Sequence, residues 1–217
     1  MKGLRNGNHI IKVFLVGIAI TCMLFLGFTE TEAEETEPKD IAEFFSDAVK
    51  IKVKEQIQSE GPIGFSLDSV YWCREIMPEK PDGSYSFVGE EEGCTYLVLE
   101  GMVTNLTQDE IDLGTFSMGG DCYIGTVEYD AHAYFIKMAC ATEEKDSITT
   151  RVTAESTVPL YVWAAIPNSK MSEETDGTLY LGYGDLQENI TNTIGGRKVD
   201  WDACEYKYKL DFEVKNK

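Results

Sequence analysis

One segment near the C-terminal end alternates without a break. Cys204, Tyr206, Tyr208, Leu210, Phe212 and Val214 share one parity, while Glu205, Lys207, Lys209, Asp211, Glu213 and Lys215 share the other. Successive side chains of an extended strand point to opposite faces, so this period of two makes one dry face and one wet face. A chain with such a segment must build a sheet with a covered side, and the rest of the sequence has to supply the cover.

It does so repeatedly. Phe65 to Trp72 (FSLDSVYW) alternates and is rich in aromatic and branched residues, and Thr95 to Thr104 (TYLVLEGMVT) reads as a longer, more fully buried strand. Pro81-Asp82-Gly83-Ser84 marks the connection between them as turn-rich. Tyr123 to Tyr129 and Ala133 to Ala141 read as a hairpin closed around Asp130-Ala131-His132. Val158 to Ile166 (VPLYVWAAI) and Thr178 to Tyr183 (TLYLGY) are further strands, with Asp176-Gly177 as the expected turn between them. Residues 40–58 are mixed: Ile41, Phe44, Phe45, Ala48 and Val49 recur at helical spacing, then Val49 to Val53 alternates with lysines. A short N-terminal helix or helix-strand lead-in is expected there, ending before Gly61-Pro62. Seven or more short strands with almost no helix predict an all-β, antiparallel sandwich.

The N-terminal segment sets the compartment. Lys2, Arg5 and Lys12 precede an apolar run from Val13 to Phe28, the layout of an export signal, with Ala33 as the expected cleavage boundary. The run has sixteen residues, short of the ~20 that span a bilayer. An uncleaved anchor is the rival reading. Residues 1–33 are thus expected to be a signal peptide or signal anchor, 34–62 an acidic linker and lead-in, and 63–217 the sandwich domain. Loss of 1–33 would take three of the 19 bases and two of the 38 acids, leaving 16 against 36, a net charge of -20. Such a surface repels phosphate backbones and anionic headgroups, so nucleic acid is excluded as a partner and membrane contact is confined to residues 1–33.

Five cysteines follow the signal: Cys73, Cys94, Cys122, Cys140 and Cys204. In an exported chain these read first as bridges. Cys122 and Cys140 stand on opposite arms of the expected hairpin, Cys73 and Cys94 bracket the preceding connection, and Cys204 is left over.

The order FSLDSVYW, TYLVLEGMVTNLTQDEIDLG, STVPLYVWAAIPNS and TLYLGYGD, over roughly residues 63–185, resembles the immunoglobulin-like extracellular domains of unassigned function that end many Gram-positive exported proteins and lipoproteins. The resemblance implies an immunoglobulin-like sandwich outside the cytoplasm and carries no catalytic residues with it.

Chemistry-bearing motifs are sparse. His132 is the one histidine beyond residue 33, and it falls in the hairpin turn. No GxSxG, phosphate-binding glycine loop, CxxC or Cys/His cluster is present, so no cofactor and no zinc site is expected. Gly195-Gly196-Arg197 reads as a turn. Acids cluster at Asp109-Glu110-Asp112, Glu143-Glu144-Asp146, Glu173-Glu174-Asp176 and Asp200-Asp202-Glu205. Calcium favours such oxygen donors, but none of the four has the EF-hand spacing, and a solvated acidic face accounts for them. Tyr71 with Trp72, Tyr161 with Trp163, and Tyr206 with Tyr208 read as core, with a glycan or peptide platform as the alternative. Asn105-Leu106-Thr107 and Asn189-Ile190-Thr191 match a glycosylation pattern by coincidence. The expectation is a non-catalytic extracellular or envelope-associated binding module whose partner is a basic or neutral envelope protein. The alternative is a secreted hydrolase using a carboxylate pair.

Overall fold

The computed structural model describes residues 38–52, 61–114, 122–172, 176–184, 201 and 204–214. Outside them lie the expected signal and its Ala33 boundary, Glu173, Glu174, Asn189, Gly195-Gly196-Arg197, Asp200 and Asp202. Among the described residues no helix is long and apolar enough to cross a membrane.

The described residues run through helix α1 (Pro38–Phe44) and eleven strands: β1 (Val49–Ile51), β2 (Ile63–Cys73), β3 (Cys94–Asn105), β4 (Ile111–Asp112), β5 (Cys122–Tyr129), β6 (His132–Ala141), β7 (Ile148–Thr149), β8 (Arg151–Val152), β9 (Thr157–Pro167), β10 (Asp176–Gly184) and β11 (Tyr206–Glu213). The long alternating and apolar runs become β2, β3, β9, β10 and β11, as their patterns demand. The β5–β6 hairpin closes at Asp130 and Ala131, both at positive φ (49° and 59°), the backbone of a tight hairpin turn.

Hydrogen bonding links the main strands in the order β1-β11-β10-β5-β6-β9-β3-β2. Strand β6 belongs to both halves: His132 to Phe135 pair with β5, and Ile136 to Cys140 pair with β9. The sheet folds over along this strand into two layers. Phe65 of β2 meets Tyr208 of β11 with ring centroids 5.2 Å apart, and Trp72 of β2 meets Tyr129 of β5 at 5.3 Å. Residues from opposite ends of the strand order are thus in contact, and the fold is an all-β sandwich with its main core between the layers.

The expected purely antiparallel pairing needs correction. Strand β1 runs parallel to β11, Val49 opposite Tyr208 and Ile51 opposite Leu210, so the sheet is mixed. Short β1 comes straight from α1, whose Ile41, with Phe45 just beyond it, is buried against Tyr180 and Trp201 on the outer side of the β10 layer. Lys207 reaches back to donate to the Phe44 carbonyl (3.1 Å). The helix direction therefore dictates the direction of β1.

Two local expectations also change. Asp176-Gly177 is no turn: both residues pair with β11, opposite Glu213 and Phe212. Cys204 does not share the dry face of β11. Tyr208, Leu210, Phe212 and Val214 enter the main core, but the chain bends at Glu205, whose amide bonds the Tyr183 carbonyl (2.8 Å), and Cys204 turns to the outer cluster with Trp201.

Strand β2 shows how sequence parity is repaired. Phe65 and Leu67 are odd, Val70 and Trp72 even, yet all four face the core because the register slips at Asp68 between Leu67 and Ser69. The slip brings Ser66 over Gly101 of β3, where any Cβ would lie inside the Ser66 carbonyl. Only glycine fits there.

Candidate binding surface

The outer face of β2, β3 and β9 sets one acid among phenol rings. Alternation puts Ser69, Tyr71 and Cys73 of β2, Tyr96, Val98, Glu100 and Met102 of β3, and Pro159, Tyr161 and Trp163 of β9 on this side. One end is covered by the 74–93 connection, which lays Ile76 and Val88 over Tyr96, Val98 and Trp163. Glu79 of that connection is tied to Lys145 at 2.7 Å.

Glu100 lies at the rim of the covered region. In the register it stands between Ser69 and Tyr161, one step from Tyr71, whose hydroxyl donates to its carboxylate. Burial, then the Glu100 charge and that hydrogen bond, push the Tyr71 phenol far above its ordinary range. Tyr161 is raised by burial first, then by Glu100 and Glu79. Among the described residues no lysine or arginine forms an ion pair with Glu100. Met102, two residues along the same row, is 37% exposed. A half-buried carboxylate, the part-exposed Tyr71 ring and an exposed thioether suit a cationic side chain: the acid supplies charge, and the ring supplies apolar and cation–π contact.

Most of the aromatic pairs are core. Tyr161 and Trp163 are 6% exposed, Tyr208 is buried against Phe65, and Trp72 and Tyr206 pack on the main core. Tyr71 alone contributes to an open surface.

His132 is fixed in the hairpin. Its Nδ1–H donates to the Asp130 carbonyl (2.7 Å), and Nε2 accepts from Lys170 Nζ (3.1 Å). Both ring nitrogens serve the turn. The acids are dispersed. Asp109 offers its carbonyl to Asn105 and Thr107, Glu110 meets Arg151 at 3.4 Å, Asp112 accepts from the Gly114 amide, and Asp146 accepts from Thr142 (2.6 Å). Glu143 and Glu144 line a recess of about 250 Å³ with Thr149, Arg151 and Thr153. Among the described residues no three of His, Cys, Asp and Glu converge as a metal site. Asn105 is buried, its amide donating to Asp109 and Val152 carbonyls while its Oδ1 accepts from the Thr107 amide, so this asparagine is a structural pin.

The cysteines are sorted by layer. Cys73 and Cys94 share the outer face of β2 and β3, one register step apart, since Cys73 faces Tyr96. Cys140 is buried in the main core, within donating distance of the Thr149 (3.4 Å) and Arg151 (3.3 Å) carbonyls. Cys122 begins β5 opposite Gly184. The β5–β6 pairing stops at Thr126 and Phe135, and the expected Cys122–Cys140 bridge turns on the Cys122 side chain, which lies outside the described residues.

The fold and surface define an all-β sandwich module with an acidic exterior. No protein-family model matches the chain, and no curated protein sequence matches it. Among solved structures, it is similar to an uncharacterized β-sandwich protein from Clostridium difficile at 14% identity, over 76% of this chain and 95% of that one, with a TM-score of 0.49. It is also similar to the yjhA protein of Bacillus subtilis (15% identity, 74% and 99% coverage, TM-score 0.34). A candidate lipoprotein of Bacillus subtilis, ycdA, matches at 11% identity over 75% of this chain and 39% of its own length, with a TM-score of 0.35. With every TM-score below one half, nothing about activity passes from them to this chain.

Proposed function

We propose that this protein is a non-catalytic binding module acting outside the cytoplasm, secreted or held at the cell surface, and that it recognises a basic protein of the envelope through the outer face around Glu100. The observation that carries the reading is the half-buried Glu100 carboxylate between Tyr71 and Tyr161, with no described base paired to it. A net charge of -19 on the whole chain favours the same class of partner by steering cations inward. The N-terminal Lys2-Arg5-Lys12 and Val13–Phe28 pattern supports the compartment. A hydrolase would need two carboxylates facing across a cleft. Glu143 and Glu144, which line the recess, are consecutive residues of one turn and do not provide that arrangement.

Retention of envelope proteins on the immobilised chain tests this at low and high salt. Wild-type protein should capture basic partners faster at low salt, and Glu100→Gln should reduce that capture while leaving the melting temperature within a few degrees. Tight, salt-insensitive retention of an anionic wall polymer would overturn it.

A further inference from the structure

The 74–93 connection crosses the outer face of β2 and β3 as a pinned segment. Ile76 and Val88 exchange backbone hydrogen bonds of 2.9 and 3.1 Å. The Ser86 carbonyl accepts from the Ile148 amide at 2.8 Å, the Lys80 amide donates to the Lys145 carbonyl at 2.9 Å, and the Tyr96 hydroxyl donates to the Gly89 carbonyl at 2.8 Å. Ile76 is buried in the cluster with Val98 and Trp163, and Val88 packs against it. Alternation then turns the neighbours of this inward pair, Met77 and Phe87, the other way, and both are exposed. Tyr85, two residues before Phe87, shares its side: the two rings lie 6.0 Å apart and are 38% and 48% exposed. A backbone fixed at several points therefore holds two aromatic rings and a thioether in water, while the inward row alone serves the core.

The surroundings set the occupant. Residues 74–93 carry two bases and six acids, 2 minus 6 or a net charge of -4. Glu79 and Glu91 are engaged by Lys145 and Lys137, and Glu90 and Glu92 stand exposed beside Glu91. A second copy of this chain, itself at -19, would bring like charge to the patch, and an anionic membrane is repelled on the same ground. Aromatic rings held in place by the backbone take an apolar side chain at little cost in entropy, and the acids around them favour a cation.

We propose that the outer side of the 74–93 connection is a docking surface for a basic segment of a partner protein that also carries an aromatic or aliphatic side chain. Tyr85, Phe87 and Met77 take the apolar group, and the neighbouring acids take its flanking lysines or arginines. Val98, under the connection, precedes Glu100 by two residues in the outer row of β3, so the covered region and Glu100 adjoin along the strand. The inference rests on the basic-partner reading of the Glu100 face and adds the apolar half of the partner's chemistry.

Two synthetic octapeptides of equal charge, one alternating lysine with phenylalanine and one alternating lysine with serine, test it by calorimetric titration into the protein. The lysine–phenylalanine peptide should bind about tenfold tighter, the effect of covering the open parts of two rings. Tyr85→Ser combined with Phe87→Ser should remove that preference and leave the melting temperature within a few degrees, since both rings stand largely outside the core. Equal affinities in the wild type, or a preference that survives the double substitution, would overturn the proposal. So would self-association of the wild type that the double substitution abolishes, or displacement of the peptide by a neutral chitin hexamer. Glu100→Gln separates the two readings: it should weaken both peptides by a common factor and leave their ratio intact. Affinities untouched by Glu100→Gln, with the ratio preserved, would refute the Glu100 reading alone.

Discussion

Phe65 and Tyr208 offer a direct handle on the closure of the sandwich. They come from β2 and β11, near opposite ends of the strand order, and their rings meet edge to face at 5.2 Å and 83°. Replacing each with leucine keeps an apolar side chain of moderate volume, so each single substitution should cost about 1–2 kcal/mol. The ring–ring term is separate, about 0.5–1.5 kcal/mol beyond area burial. In a double-mutant cycle of Phe65→Leu and Tyr208→Leu, the double variant should therefore be less destabilised than the sum of the singles by about that amount. Urea unfolding followed by tryptophan fluorescence reads it, with unchanged m-values confirming that the unfolding transition is the same. Residues without contact add to within about 0.3–0.5 kcal/mol. Additivity inside that margin would mean that β2 and β11 do not face each other.

Other consequences follow from single residues. Asn105→Ala leaves the Asp109 and Val152 carbonyls and the Thr107 amide without their partner, and should cost about 2–4 kcal/mol in urea unfolding; a loss under 0.5 kcal/mol would refute the pinning role. Ala131 holds φ of 59° in the hairpin turn, so Ala131→Gly should raise stability by about 0.5–1 kcal/mol, and a loss would show that the turn is not left-handed. Tyr180 is pushed up to about 12 by burial first, then by the Glu128 charge and the hydrogen bond to it. Its ordinary value is 10, so the folded state keeps a proton that the unfolded state releases. Stability is then full below pH 10 and is lost as pH rises toward 12. Urea midpoints across that range, with Tyr180→Phe abolishing part of the slope, check this; an unchanged slope in the variant would contradict it.

Much of the fold was legible because period two and apolar runs are local. β2, β3, β9, β10 and β11 announce themselves, and Asp130-Ala131 marks the hairpin. What was hidden depends on partners distant in sequence. Val49–Ile51 is too short to declare a direction, which the docking of α1 on Tyr180 and Trp201 decides. The slip at Asp68 is visible only as a parity change between Leu67 and Val70, and could have been found there. Cys204 follows the alternation of β11 in sequence, but the bend at Glu205 breaks it in space. The candidate surface was half legible: Tyr71 was marked, but Glu100 sits inside an apolar strand and gains meaning only from Tyr71 and Tyr161 beside it.

The role of that surface can be read directly by backbone and side-chain NMR shifts on titrating a short oligolysine peptide into the protein at low salt. The shifts should concentrate on Ser69, Tyr71, Glu100, Met102 and Tyr161, weaken with added salt, and vanish from this face in Glu100→Gln. Shifts confined to Asp109–Asp112 and Glu143–Asp146, with the Glu100 row silent, would contradict the assignment of this face as the recognition surface.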